Sequence, residues 1–140
     1  MKLDQDLDNI SDKALLTFID LDNLKFYNDE YGHARGDQLL KGFASQLQNF
    51  QTKDLFVYRI GGDEFAILNH KGVLTEIEQL LETSIENLIK QDFAFTGASF
   101  GSALRNEVEN ISALKHLADM RMYENKQQRT KLNTQKKVSQ

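Results

Sequence analysis

Two short apolar runs, Leu55 to Ile60 and Glu64 to Leu68, are separated only by Gly61, Gly62 and Asp63. Runs of that length read as strands, and so short a link makes them an antiparallel hairpin. The glycine pair suits a tight turn, because glycine tolerates the positive φ that such turns need. Ala14 to Asp20 is another near-continuous apolar run, as in a strand buried on both faces. Phe93 to Ala103 alternates large and small residues and reads as a further strand.

The helices are read from period and punctuation. Leu24 to Tyr31 is a short helical stretch closed by Gly32. From Gly36 a helix runs to about Phe50, with Leu39, Leu40, Phe43, Leu47 and Phe50 on one stripe. Thr75-x-x-Glu78 reads as a capping box, opening a helix whose apolar face holds Ile77, Leu80, Leu81, Ile85, Leu88 and Ile89. Ser112 can cap a last helix running to about Lys126 or beyond. Residues 1–13 read as a disordered or truncated segment, 14–130 as the domain and 131–140 as a basic flexible tail. The order predicts an α/β sandwich of α+β type: a mostly antiparallel central sheet flanked by helices.

Composition narrows the function. The 140 residues carry a net charge of −4. An acidic chain makes a poor general binder of nucleic acid, since the phosphate backbone asks for a broad basic face. A small phosphorylated ligand remains within reach of a few cations and a metal. Cysteine is absent, so thiolate metal sites and disulfides are excluded, which fits a cytoplasmic protein. No apolar run approaches the roughly 18–20 residues of a membrane helix, and the acidic start, Met1 to Asp6, is not a secretory signal.

The chemistry-bearing residues gather at the predicted strand tips. Asp20 and Asp22 follow the apolar Phe18-Ile19, and Asp63 and Glu64 follow the glycine turn. A carboxylate at a buried strand's exit must meet solvent, a cation or hydrogen-bond donors. Asp20 or Asp22 could instead cap the next helix. Two carboxylates plus substrate phosphates suit magnesium. Asp20, Asp63 and the Leu21 carbonyl form such a set, and the bare Gly61 and Gly62 allow backbone amides close to a phosphate.

The run Gly61-Gly62-Asp63-Glu64-Phe65 resembles the GGDEF family, the diguanylate cyclases, and the resemblance spreads along the chain. Phe18-Ile19-Asp20-Leu21-Asp22-Asn23-Leu24-Lys25-Phe26-Tyr27-Asn28-Asp29 is similar to the family's Asp-x-Asp-x-Phe-Lys-x-x-Asn-Asp motif. Tyr31-Gly32-His33-Ala34-Arg35-Gly36-Asp37 matches its Tyr-Gly-His-x-x-Gly-Asp. Arg59-Ile60, Ser99-Phe100-Gly101, Ala118-Asp119, Met122-Tyr123 and Lys126 follow in the family's order over residues 14–126. The resemblance implies the nucleotidyl cyclase and polymerase palm fold. It implies condensation of two GTP into cyclic di-GMP, with release of two pyrophosphates, across a two-fold homodimer. It implies that Asp20, Leu21, Asp63 and Glu64 hold magnesium or manganese. Asp63, Glu64 and Lys25 would be catalytic. Asn28, His33, Asp37, Gly61, Gly62, Lys126 and Arg129 would bind substrate, with Asn28 and Asp37 on the guanine edge. Each has a plainer competitor: Asp37 as a helix cap, Asn28 as a helix end, His33 as a turn histidine, Lys25 as a surface lysine.

Three departures qualify the resemblance. The family's opening helix and Asp-x-Leu-Thr turn have no counterpart before Ala14, so the chain is expected to be a piece of a longer protein or a short form. Thr52-Lys53-Asp54-Leu55 lacks the arginine of the family's product-binding Arg-x-x-Asp, so tight product inhibition there is not expected. Lys126-Gln127-Gln128-Arg129-Thr130 puts threonine at the arginine place of Lys-x-x-Gly-Arg, and Arg129, at i+3 from Lys126, can substitute. A module that binds GTP or a cyclic dinucleotide without turnover, and regulates a partner, is the alternative. Any sensor or regulatory domain would lie outside this chain.

Overall fold

The computed structural model describes the backbone of residues 2–139 and the side chains of residues 2–131. The elements are α1 (Lys2–Leu7), β1 (Leu15–Asp22), α2 (Leu24–Tyr31), α3 (His33–Gln48), β2 (Leu55–Arg59), β3 (Glu64–Asn69), α4 (Leu74–Lys90), β4 (Gly97–Leu104) and α5 (Ile111–Ser139). The strands form one antiparallel sheet in the order β2-β3-β1-β4. β1 takes a central place because its side chains are apolar on both faces. Leu15, Ile19 and Leu21 join Leu39, Phe43, Phe65 and Ile77 in one core, under α3 and α4. Leu16 joins Leu3, Leu7, Leu114 and Ala118 in a second core, under α1 and α5. This is the expected sandwich with an antiparallel sheet.

Residues 1–13 depart from the expectation of disorder. Lys2–Leu7 is helical, with Leu3 and Leu7 buried against the sheet's second face. Their i,i+4 spacing puts both on one side of a single turn and a half. The Tyr58 hydroxyl donates to Asp6 Oδ2 at 2.6 Å, and Lys115 Nζ donates to Asp4 Oδ1 at 2.8 Å, so the acids around the leucines are tied down too. At the other end α5 runs to Ser139, through most of the stretch expected as a flexible tail. The side chains of Lys136 and Lys137 lie outside the described residues.

Helix starts also differ. α4 begins at Leu74 with Val73 as its cap, so Thr75 is already inside and the capping box does not form. α5 begins at Ile111, where Asn110 Oδ1 accepts from the Ala113 amide at 2.8 Å, and Ser112 is not the cap. α3 begins at His33, ahead of the expected Gly36. The hairpin forms as expected, but neither Gly61 nor Gly62 has a positive φ.

α5 lies close on β4. A Cβ at Gly101 would fall 2.0 Å from Met122 N, so the helix can approach only a bare residue there. Side chains guard the open edge of β4. The Phe100 amide donates to Asn125 Oδ1 at 2.9 Å, and the Ser102 carbonyl accepts from Arg121 at 2.8 Å. Arg121 is held in turn by Glu107 at 2.7 Å. On the opposite edge the Val57 amide donates to Gln51 Oε1 at 3.1 Å.

Candidate active site

Strand register brings the predicted carboxylates together. Asp20 on β1 stands directly opposite Glu64 on β3. The Leu21 amide donates to the Asp63 carbonyl at 3.0 Å, which ties the glycine turn to β1. Like charges directly opposite each other in a sheet are destabilising. Folding stability therefore gives no reason for this pairing.

Burial sharpens the conflict. Asp20 is only 5% exposed, and its Oδ1 has no hydrogen-bond partner. Desolvation pushes its pKa up; the Lys126 ammonium opposes this, and the charge of Asp63 adds to the rise. Glu64 is raised as well, by desolvation and then by the charges of Asp20, Asp63 and Asp119. Two helix cations answer the strand-tip acids. Lys126 Nζ donates to Asp20 Oδ2, and Arg129 Nε donates to Asp22 Oδ2 at 2.7 Å. Ser99 Oγ donates to Asp22 Oδ1 at 2.8 Å. Neither aspartate caps α2, whose cap residue Asn23 makes no side-chain capping bond.

A cleft of about 270 Å³ opens beside these groups, lined by Leu21, Asp22, Asn23, Lys25, Asp63, Lys126, Arg129 and neighbours. Lys25 is exposed on α2 at its wall. Gly61 and Gly62 are exposed, and a Cβ on either would meet nothing within 4 Å. The hairpin therefore offers bare backbone to open space.

A divalent ion fits this arrangement. Among the described residues no three His, Asp or Glu side chains already converge to cage one. Magnesium, however, is usually held by one or two carboxylates, with phosphates and water completing its shell. The unpartnered Oδ1 of buried Asp20, beside Asp63, is an acceptor that lacks such a partner.

The remaining predicted residues lie on α2 and α3. Asn28 Oδ1 is buried without a partner, and the carboxamide rests against Gly36. Only the Asn28 backbone carbonyl serves the helix end, accepting from Gly32 N at 3.0 Å. Asp37 is exposed inside α3 and is not its cap, and His33 is the exposed first residue of that helix. Asp54, of the altered Arg-x-x-Asp stretch, pairs with Lys71 at 3.1 Å.

The sequence motifs assign no role to Asp119, which adds negative charge to Glu64 and lines a pocket with it. Its spacing of seven from Lys126, two helical turns on one face, is the signal that points to it. The engagement of Asp22 by Arg129 and Ser99 has no signal in the motifs either.

A profile of the family described as "Diguanylate cyclase, GGDEF domain" matches residues 1–132. The chain belongs to the GGDEF family. The match reaches the first residues, including the helix α1 that lies ahead of the motifs. Diguanylate cyclase DgcP of Escherichia coli K12 is 30% identical over 130 residues, covering 88% of this chain and 38% of that protein. Diguanylate cyclase DgcN of the same organism is 37% identical over 123 residues, covering 83% of this chain and 30% of that protein. This GGDEF chain thus spans well under half the length of these curated relatives. Among solved structures, the GGDEF domain of PA1120 (YfiN or TpbB) from Pseudomonas aeruginosa aligns with TM-score 0.71 at 31% identity, covering 89% of this chain and 82% of that one. The GGDEF domain of DgcB from Caulobacter crescentus, in complex with c-di-GMP, aligns with TM-score 0.69 at 25% identity, covering 81% and 72%. No helix among the described residues is long and apolar enough to cross a membrane.

Proposed function

We propose that this chain is a diguanylate cyclase domain, joining two GTP into cyclic di-GMP with loss of two pyrophosphates. The observation that carries the reading is the Asp20–Glu64 register, with Asp63 beside it and an unpartnered oxygen on Asp20. Such a cluster opposes folding and suits a cation brought in with a nucleotide.

Asp20, Asp63 and Glu64, with the Leu21 carbonyl, would hold the divalent ion, magnesium or manganese, which when bound neutralises charge on the attacking and leaving oxygens. Lys25, Lys126 and Arg129 would meet the triphosphate in the 270 Å³ cleft that they line. Lys126 and Arg129 would exchange carboxylate partners for phosphate. The amides of the Gly61-Gly62 turn approach the phosphates, since no side chain stands in front of them. The buried Asn28 Oδ1 accepts from guanine's ring N–H or amino group, and Asp37 and His33 complete that edge. Adenine lacks this pair of adjacent donors.

The 3′-oxygen of one GTP attacks the α-phosphorus of the other. A P–O bond forms in line with the P–O bond that breaks, pyrophosphate leaves, and the hydroxyl proton is lost; a second such step closes the ring. Positioning and charge neutralisation dominate this chemistry. One bound nucleotide cannot perform it on itself, so two copies face each other across a two-fold axis and the rate rises faster than linearly with protein concentration.

Incubation with GTP and magnesium at several protein concentrations, read by the yield of cyclic di-GMP, tests the reading. The expected result is a supralinear rate in the parent chain and no product from Asp63→Ala, with a melting temperature within about 5 °C of the parent. Magnesium-dependent protection by GTP without product would establish the non-catalytic binding module instead. Full activity in Asp63→Ala would end the assignment.

A further inference from the structure

Arg59 closes β2 immediately before the turn, and its guanidinium reaches forward onto that turn. Nε donates to the Gly61 carbonyl at 3.3 Å and Nη2 to the Gly62 carbonyl at 3.0 Å. A trans peptide is planar, and its C=O and N–H point in opposite directions. Among the described residues no peptide bond is cis. The Gly61 carbonyl shares its plane with the Gly62 amide, and the Gly62 carbonyl shares its plane with the Asp63 amide. Drawing both carbonyls to one side therefore turns both amides to the other.

Those amides are free. Among the described residues neither Gly62 N–H nor Asp63 N–H donates to any internal acceptor, whereas the Ile60 and Gly61 amides go to the Glu64 carbonyl at 2.9 and 3.3 Å. Successive unpaired amides aimed one way form a concave anion site. Beyond the Arg59 fork, the turn is tied only through the Ile60 and Gly61 amides and through the Leu21 amide on the Asp63 carbonyl at 3.0 Å, and among the described residues none of these bonds takes hold of the Gly61 or Gly62 carbonyl. Its glycines have φ values of no special kind, and a glycine pair has the most backbone freedom to lose.

We infer that Arg59 is a positioning residue: its two-pronged hold on the Gly61 and Gly62 carbonyls aims the Gly62 and Asp63 amides as a paired donor for a phosphate group. The inference rests on the reading of this site as a nucleotide site, and it deepens that reading. Arg59 itself touches no substrate. It acts through two peptide planes, and a fork is required because the two carbonyls need separate donors in fixed relation.

The test uses 15N-labelled full chain, titrated with pyrophosphate and magnesium and followed at the Gly62 and Asp63 amide resonances, with turnover measured in parallel. The parent is expected to show both resonances as single sharp peaks that move on titration. In Arg59→Ala both should broaden or split before any ligand is added. Affinity for pyrophosphate should fall about tenfold to a hundredfold, the loss of a pair of oriented donors. The KM for GTP should rise while the melting temperature holds, because Arg59 is exposed. Arg59→Lys should recover only a small part of the loss, since an ammonium keeps the charge without the fork, and it also serves should Arg59→Ala fail to fold. Unchanged amide peaks and affinity in Arg59→Ala would overturn the inference. Full recovery by lysine would overturn it as well, since charge alone would then suffice. The free-state peak shapes report on Arg59 even if the parent makes no cyclic di-GMP, so failure here and failure of the cyclase reading are told apart.

Discussion

A Cβ on Gly36 would stand 1.7 Å from Asn28 Oδ1, so the carboxamide keeps its place only while residue 36 is bare. The same oxygen is buried and unpaired, which costs free energy that a ligand donor would return. Gly36→Ala should therefore leave α3 intact, since alanine is a better helix former than glycine, but displace Asn28. The expected result is a KM for GTP at least tenfold higher and a weaker preference for GTP over ATP, read by steady-state kinetics with both nucleotides. A variant that kept its KM and its preference would remove Asn28 from the base site. Much of this site is legible in the sequence: Asp20, Asp63, Asn28 and Asp37 stand in motifs whose spacing the chain preserves. Two things are not. The grip of Arg59 falls on backbone carbonyls, which no side-chain pattern records. The pairing of Lys126 and Arg129 with Asp20 and Asp22 depends on where α5 crosses β1, a matter of packing rather than of local sequence.

Among the elements, α1 shows how a short amphipathic turn is hidden by its neighbours. Leu3 and Leu7 are its only leucines, set among Asp4, Asp6 and Asp8, and the charges dominate a reading by composition. The structure buries both leucines and satisfies Asp4 and Asp6 with Lys115 and Tyr58. Leu3→Ala should cost about 2–5 kcal/mol by urea unfolding, a core-sized loss from an element of barely two turns; a change below about 0.5 kcal/mol would mean that α1 is not docked in solution. β4, expected from Phe93, begins only at Gly97, because Phe93 to Thr96 make a turn with the Thr96 amide donating to the Phe93 carbonyl at 3.2 Å, but the other three strands are plain in the sequence from their continuous apolar runs. Helix starts are less so. Thr75 and Ser112 have the chemistry of caps, yet α4 and α5 begin one residue ahead of each, at Leu74 and Ile111. A short polar side chain states what it can do at a helix end, and tertiary packing decides where the end falls.

At the scale of the molecule, two small sets of acids with shifted pKa values act on stability in opposite directions. Asp20 and Glu64, at the site, have pKa values raised above 3.8 and 4.5. Asp4, Asp6 and Glu107, at the periphery, have theirs lowered by hydrogen bonds and cations. A raised acid takes its proton in the folded state first, so stability grows as pH falls through its folded pKa. A lowered acid gives stability above its ordinary value, lost as pH falls through its folded pKa. Melting temperature, measured without metal, should therefore climb on mild acidification from neutrality toward the region just above 4.5 and fall below about 3.8. Lys126, raised by Asp20, stays charged throughout. Glu64→Gln should reduce the climb, leaving the part due to Asp20, and leave the acid-side fall unchanged; an undiminished climb in that variant would show that Glu64 is not a source of it.

One helix face carries two unrelated duties. Asn125 and Arg121 cover the open rim of β4, and Lys126 and Arg129, on the same stretch, reach the acids of β1. Peeling that stretch away would bare a row of unsatisfied main-chain groups in the same motion that empties the cation seats. Damage to this middle stretch of α5 would thus be felt as clumping of the protein and as lost chemistry together.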